Sequence, residues 1–125
     1  MLSIKATKKS FLIDKKRRLV LTNDKIYIFY KKETTPRYII DYADIMGVTI
    51  SLHPSTKSGL IFHFATKADE EWICDKRQEL VEVTAQQYNL KTGKSIDIYG
   101  INSNDLSVYL TTDRDLQRKM SRMPG

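Results

Sequence analysis

The chain has 125 residues, of which 41% are hydrophobic, 29% charged and 10% aromatic, enough for one folded domain and too few for two. This composition excludes a disordered polypeptide, and the apolar runs are far shorter than the roughly 20 residues of a membrane-spanning helix. One cysteine, Cys74, cannot form an internal disulfide, and no charged-then-apolar leader is present, so we expect an intracellular protein that is soluble or peripheral to a membrane.

The net charge of +6 is concentrated in the first third of the chain. Residues 1–37 contain eleven Lys or Arg and three acidic residues, whereas residues 38–112 contain six and ten. Charge separated in this way indicates a directed interaction with an anionic partner more than general solubility. Phosphoinositide lipid, an acidic protein surface and nucleic acid are the partners that this pattern allows.

Runs of β-branched and aromatic residues predict a hairpin in the basic third. Residues 18–22 and 25–30 form its strands, and Asn23-Asp24 forms a two-residue turn. Alternation along the second strand places Ile26 and Ile28 on the face opposite Tyr27, so one of the two faces must be core. Further strands are predicted at 38–40, 48–52, 60–64 and 71–74, with loops containing Pro36, Pro54 and Gly59 between them.

The pattern changes to helical spacing after residue 74. Apolar and small residues recur at intervals of three and four, at Leu80, Val81, Thr84, Ala85 and Tyr88. They predict one amphipathic helix at about 76–88, and Asp75 with Gln78 has the form of a capping box at its start. A returning strand is expected at 96–99, and another at 106–110.

About seven antiparallel strands followed by one late helix predict a mainly β fold. The expected architecture is a pleckstrin-homology-like antiparallel β-barrel or sandwich of about seven strands, with the helix at 76–88 covering an open end. We assign the domain to residues 1–111. Residues 112–125 form a basic tail, which we expect to be a short helix or disordered.

No constellation for catalysis or metal binding is evident, so we expect neither an enzyme nor a cofactor. His53 and His63 lie ten residues apart without paired ligand spacing, and His63 is expected in a polar niche on a strand. Cys74 is predicted to be a packed thiol. The acidic run Asp69-Glu70-Glu71 is predicted to be a solvated turn.

Three segments carry a resemblance to a known family. The sequence "RRLVLTNDKIYIF", then "IIDYADIMGVTIS" and then "LIFHF" resembles the tail-homology-1 domain of class I myosins, over roughly residues 4–99. In that family a block of the form I-D-Y-A-x-[IL]-x-G-[IV]-[ST]-[IV]-S marks the middle of the sheet. The resemblance implies a pleckstrin-homology-like fold that binds anionic phospholipids, in a freestanding form without the motor.

The resemblance also implies where a lipid headgroup binds. The family's lysine on the first strand corresponds to Lys5, and its basic pair at the start of the second strand corresponds to Lys16 and Arg18, with Arg17 as the alternative if the register shifts by one. Lysine and arginine both suit phosphate oxygens. A supporting basic surface is expected at Lys8, Lys9 and Lys15.

An apolar island interrupts this basic stretch at Phe11, Leu12 and Ile13. Three interpretations are open. The island extends a strand and packs into the core, inserts into a membrane, or packs against a protein partner. Membrane insertion would convert weak charge attraction into stable attachment, because each Lys or Arg near an anionic surface contributes only about 1 kcal/mol.

Two functional hypotheses follow. The leading one is a non-catalytic adaptor that binds phosphoinositide at a membrane surface, cytoplasmic and peripheral or associated with the cytoskeleton. The competing one is a structural subunit of a cytoskeletal or organellar assembly, in which the basic face contacts another protein. A nucleic-acid platform of Tyr27, Phe29 and Tyr30 is disfavoured, because one face of that strand must be buried.

Overall fold

The computed structural model describes residues 1–111, which form eight strands and one α-helix. The strands are β1 (Leu2–Lys8), β2 (Lys15–Leu21), β3 (Lys25–Phe29), β4 (Tyr38–Asp41), β5 (Ile45–Ser51), β6 (Gly59–Phe64), β7 (Glu70–Ile73) and β8 (Asp97–Ile101). The helix α1 covers Arg77–Thr92, and short 3₁₀ turns cover Tyr42–Asp44, Pro54–Thr56 and Leu106–Tyr109. The predicted tail at 112–125 lies outside the described residues.

The strands form one sheet in the order β4-β3-β2-β1-β7-β6-β5-β8. Strand β1 pairs with β2 along its whole length and with β7 at its end, so it joins two four-stranded halves around a shared core. The predicted fold class, mainly β with one helix, is confirmed, with eight strands where about seven were expected. The predicted returning strand at 96–99 is β8, and it pairs in parallel with β5, whereas antiparallel pairing was expected.

The predicted hairpin is confirmed as β2 and β3. The backbone N–H of Thr22 donates to the carbonyl of Lys25, which leaves Asn23 and Asp24 as the two-residue loop. Ile26 and Ile28 are fully buried, so their face of β3 is the core face and Tyr27 lies on the opposite face. Tyr27, Phe29 and Tyr30 are half-buried, and the guanidinium groups of Arg18 and Arg17 stack on the rings of Phe29 and Tyr30, so these two rings are already covered by cations.

Helix α1 packs on the core through Leu80 and Thr84, as its spacing predicted. It is four residues longer at the C-terminal end than expected and ends at Gly93, whose φ of 72° is the left-handed conformation that glycine adopts readily. The predicted capping box is wrong, because Lys76 is the N-cap and makes no side-chain capping hydrogen bond. The guanidinium of Arg77 instead donates to two sheet carbonyls, on Ser51 and Gly59, at 2.7 and 3.0 Å.

Two further expectations are wrong for identifiable reasons. The predicted strand at 106–110 is a 3₁₀ turn, because the Asp105 carboxylate accepts the backbone N–H of Ser107 and closes the chain locally. The acidic run is not a solvated turn, since the Asp69 side chain is only 3% exposed and Glu70 begins β7 with 6% exposure. Cys74 is buried as predicted, and burial raises the pKa of its thiol.

A polar network ties the end of the described chain to the sheet. His63 on β6 contacts Thr49 through Nε2 at 2.6 Å and Asp69 through Nδ1 at 2.7 Å, which confirms the expected polar niche. Asp69 also accepts backbone N–H groups from Phe64 and Thr111. Burial alone would raise the pKa of Asp69, but the hydrogen bonds from His63, Thr111 and Phe64 more than offset it, so the pKa is lowered.

This lowered pKa predicts acid-sensitive stability. An unfolded Asp titrates near pH 4, so the stabilisation from ionised Asp69 is fully present above that pH and declines as the pH falls through the lower pKa of the folded state. We expect Asp69→Asn to lower the free energy of unfolding by about 1–3 kcal/mol at pH 7, and by progressively less below pH 4. Urea unfolding between pH 7 and pH 3 measures this. The exposed Asp75→Asn is the control, and a deficit for Asp69→Asn that does not vary with pH would contradict the assignment.

Candidate anionic-ligand site

Basic residues lie directly opposite one another on the first hairpin. The register of β1 with β2 pairs Lys5 with Arg18, Thr7 with Lys16, and Lys8 with Lys15. Side chains paired in this way are about 5 Å apart at Cβ, where like charges destabilise a sheet. The Lys5–Arg18 pair therefore has a cost in folding, which an anionic ligand bound beside it would offset.

An open cleft of about 970 Å³ lies along this hairpin. All four residues proposed for headgroup binding, Lys5, Lys16, Arg17 and Arg18, line it. The remaining lining residues come from β1, the β3–β4 turn and the end of β7, and are Ala6, Thr7, Lys31, Lys32, Ile73 and Asp75. The cleft therefore has six cationic side chains and one carboxylate, and its volume lies within the range of small-molecule sites.

The β3–β4 turn supplies two cations that the sequence did not assign to the site. Lys31 has a φ of 50°, an uncommon left-handed conformation for a residue other than glycine, and it turns the chain so that both Lys31 and Lys32 face the cleft. The sequence signal for these two residues is a pair of adjacent lysines directly after the predicted strand at 25–30. Only the tertiary structure shows that they line the same cleft as Lys16 and Arg18.

The two arginines of the cleft are held by aromatic rings. The Arg18 guanidinium lies 4.5 Å from the ring centroid of Phe29, its partner on β3, and donates to the carbonyl of Glu33 at 3.2 Å. Arg17 lies 4.9 Å from the ring of Tyr30 and donates to the carbonyl of Lys16. Stacking leaves the remaining guanidinium N–H groups available and fixes the direction in which they point.

The supporting lysines have different roles. Lys8 points to the core side, where its ammonium lies 3.6 Å from the carboxylate of Glu70. Lys9 pairs with Asp14 at 3.2 Å, and Lys15 is exposed. Within residues 1–111, no salt bridge involves Lys5, Lys16, Lys31 or Lys32. Positive charge without an acidic partner is thus concentrated at the cleft.

Glu70 neutralises the opposite, core-facing side of the hairpin. Its carboxylate accepts hydrogen bonds from the Tyr38 hydroxyl at 2.9 Å, the Trp72 indole at 3.1 Å and the Lys67 ammonium at 3.0 Å. Burial, with the negative charge of Glu70 added, raises the pKa of Tyr38 far above its ordinary value, so this hydroxyl stays protonated and donates. The sequence predicted only a solvated turn at Glu70, because two of its partners, Lys8 and Tyr38, come from distant segments.

The apolar island projects from the end of the hairpin. Phe11, Leu12 and Ile13 are 100%, 87% and 69% exposed in the loop between β1 and β2. The interpretation in which they pack into the core is therefore wrong. The strands end at the Lys8–Lys15 pair, so no neighbouring strand extends far enough to cover them. Of the three interpretations, insertion into a membrane and packing against a protein partner remain for these three residues.

Neither a protein-family model nor a curated protein sequence matches this chain. Solved structures do match its fold. A structure of the Slm1 pleckstrin-homology domain in complex with inositol 4-phosphate is 16% identical, with a TM-score of 0.57 over 72% of this chain and 95% of that one. The N-terminal pleckstrin-homology domain of human ARAP2 is 14% identical, with a TM-score of 0.60 over 75% and 84% of the two chains.

The chain has a pleckstrin-homology-like fold. The hSac2 domain of the human phosphoinositide phosphatase Sac2 also matches, at 12% identity and a TM-score of 0.61, over 82% of this chain and 77% of that one. Identities this low show the fold alone, so the resemblance to the myosin-I tail stays a prediction. In the described pleckstrin-homology-like domain, residues 1–111, no helix is long and apolar enough to cross a membrane, and no cluster of His, Cys, Asp and Glu suits a metal ion.

The Glu70 network predicts opposite responses at two adjacent positions. Glu70→Gln removes the charge that pairs with Lys8 and Lys67, so we expect the free energy of unfolding to fall by about 1–3 kcal/mol. Burial raises the pKa of Glu71, which means that the charge there opposes folding at neutral pH. Glu71→Gln is thus the matched control and should leave stability unchanged or raise it. Urea unfolding at pH 7 measures both variants, and equal losses would refute the network.

Proposed function

We propose that this chain is a non-catalytic module that binds the headgroup of an anionic phospholipid, a phosphoinositide, in the basic cleft. The observation that carries the proposal is the convergence of six Lys and Arg side chains on one cleft that contains a single carboxylate, Asp75. Phosphate oxygens are the ligands that suit such a set, with Arg17 and Arg18 as oriented donors and the lysines as point charges.

The comparisons support the class of ligand. A pleckstrin-homology domain of similar fold was solved in complex with inositol 4-phosphate, and another domain of similar fold belongs to a phosphoinositide phosphatase. Both observations concern those proteins, and their low identity to this chain transfers no residue. They make an inositol phosphate headgroup the first ligand to test among the anions that the cleft can accept.

The resemblance to the myosin-I tail-homology-1 domain supports a site of action at a membrane. It implies a peripheral position on the cytoplasmic side of a membrane, next to the cytoskeleton. Under this resemblance, Lys5, Lys16 and Arg18 correspond to the family's lipid-binding positions, and all three line the cleft. Arg17, the alternative position, lines it as well.

Charge sets the expected strength of binding. At about 1 kcal/mol for each Lys or Arg near an anionic surface, four to six cleft residues would contribute about 4–6 kcal/mol. This range corresponds to dissociation constants between about 1 mM and 0.05 mM. Binding of this origin weakens steeply as the salt concentration rises, because the exposed charges are screened.

Charge reversal tests the proposal. The variant Lys16→Glu, Arg17→Glu, Arg18→Glu is expected to lose binding to phosphatidylcholine vesicles that contain a phosphoinositide, because it replaces three cleft cations with anions. Sedimentation with graded phosphoinositide content, at low and physiological salt, measures the loss. Circular dichroism and urea unfolding confirm that the variant is folded.

The matched control reverses three exposed lysines away from the cleft, Lys57, Lys91 and Lys94, and so changes the net charge equally. We expect this control to bind vesicles with an affinity close to that of the original chain. Equal binding by the cleft variant and the original chain would reject the cleft as the lipid site. If the original chain binds no vesicles at low salt, the basic face contacts an acidic protein instead, as in the structural-subunit hypothesis.

A further inference from the structure

Three consecutive apolar side chains form the tip of the loop between β1 and β2, and water surrounds them. Phe11 is fully exposed, Leu12 is 87% exposed and Ile13 is 69% exposed. Isolated exposed apolar residues are common on protein surfaces, but three adjacent ones at the end of a projecting loop form a contiguous apolar surface. Removing such a surface from water lowers the free energy of the system, so burial of the surface by a partner is favourable.

The loop that presents these residues is folded. Asp14 accepts a hydrogen bond from the backbone N–H of Ser10 at 3.3 Å and one from the Lys9 ammonium at 3.2 Å. The pKa of Asp14 is lowered by these two contacts, first by the bond from Ser10. The Lys8–Lys15 pair closes the ladder immediately below. Residues 11–13 are thus held at the tip by a defined turn at the base of the loop.

The charges around the tip identify its partner as an anionic bilayer. Lys9, Lys15 and Lys16 are exposed immediately beside the apolar tip, and Asp14 is the only acidic residue of the loop, already paired with Lys9. An apolar tip with ammonium groups beside its base matches the order of a membrane surface, where anionic phosphates lie outside the acyl chains. Lysines are depleted in the cores of protein–protein interfaces, which disfavours a protein partner for this loop.

The cleft and the tip lie at the same end of the molecule. Thr7, Lys16 and Arg17 line the cleft and are only a few residues from the loop on β1 and β2. A headgroup held in the cleft would therefore bring the bilayer surface against residues 11–13. The link between the two features rests on the proposed function, because headgroup binding in the cleft determines which face of the domain contacts the membrane.

We propose that Phe11, Leu12 and Ile13 insert into the acyl region of an anionic bilayer while the cleft holds a headgroup. The cleft supplies the salt-sensitive and headgroup-dependent part of the affinity, and the inserted tip supplies a part that salt does not screen. Attachment through both features gives the protein a longer residence time on the membrane than its contact with a single headgroup would give. Insertion requires no rearrangement of the sheet, because the tip already projects beyond it.

A tryptophan placed at the tip reports insertion directly. In Phe11→Trp, binding to vesicles is expected to shift the added emission to shorter wavelength, and lipids brominated on the acyl chain are expected to quench it. Trp72 is fully buried in the core, so the original chain provides the background signal that these lipids leave unquenched. Vesicle binding without quenching would overturn the insertion and leave the headgroup proposal intact.

A second variant separates insertion from headgroup binding. Phe11→Ser, Leu12→Ser, Ile13→Ser changes only exposed side chains, so the domain is expected to fold normally. We expect its affinity for soluble inositol 4-phosphate to be unchanged and its affinity for phosphoinositide vesicles at physiological salt to fall at least tenfold. The control, Met46→Ser, Leu90→Ser, Val108→Ser, removes three exposed apolar side chains elsewhere and should bind vesicles normally.

The outcomes distinguish the two proposals. Undiminished vesicle affinity in the tip variant would overturn the insertion alone, and capture of a protein through the tip with unchanged vesicle binding would assign the loop to that protein. A chain that binds neither inositol 4-phosphate nor vesicles at low salt would overturn the headgroup proposal and the insertion that rests on it. Loss of vesicle binding in the tip variant alone supports the insertion.

Discussion

The register between β1 and β2 determines where every charge of the basic third lies. Leu19 and Leu21 are buried on β2, and Ile4 and Ala6 are buried on β1, so the alternate positions of the two strands carry Lys5, Lys16 and Arg18 outward. Because side chains alternate across a strand, a slip of one residue would bury the cations and expose the core. The burial of four apolar side chains thus holds Lys5 opposite Arg18 despite the repulsion between them.

The fold then assigns the cations of the hairpin to two sides. On the core side, Glu70 pairs with Lys8 and Lys67 and binds Tyr38 and Trp72, so the charge there is neutralised within the domain. On the cleft side, one carboxylate faces six cations. The positive potential of the protein is consequently focused at one surface, and the buried acid on β7 is part of the reason.

The proposed headgroup binding and the proposed insertion depend on this arrangement in different ways. The cleft requires the register of β1 with β2 and the turn of β3 into β4, which together assemble cations from three segments. The tip requires only that the two strands stop at the Lys8–Lys15 pair and that Asp14 closes the loop. Residues of one short hairpin therefore combine a cationic surface with an apolar surface, and the structure of neither feature depends on the other.

The sequence by itself determined the elements whose signals are local. The hairpin at Asn23-Asp24, the alternation of Ile26 and Ile28 with Tyr27, the position of the helix and the mainly β fold all follow from patterns within a few residues. Only the tertiary structure decided the burial of Glu70, the addition of Lys31 and Lys32 to the cleft, and the exposure of residues 11–13. It also decided the start of the helix, where Arg77 bonds to carbonyls of two strands, and the parallel pairing of β8 with β5. These features depend on partners far away in the chain, and a local sequence pattern does not specify which distant segments the fold brings together.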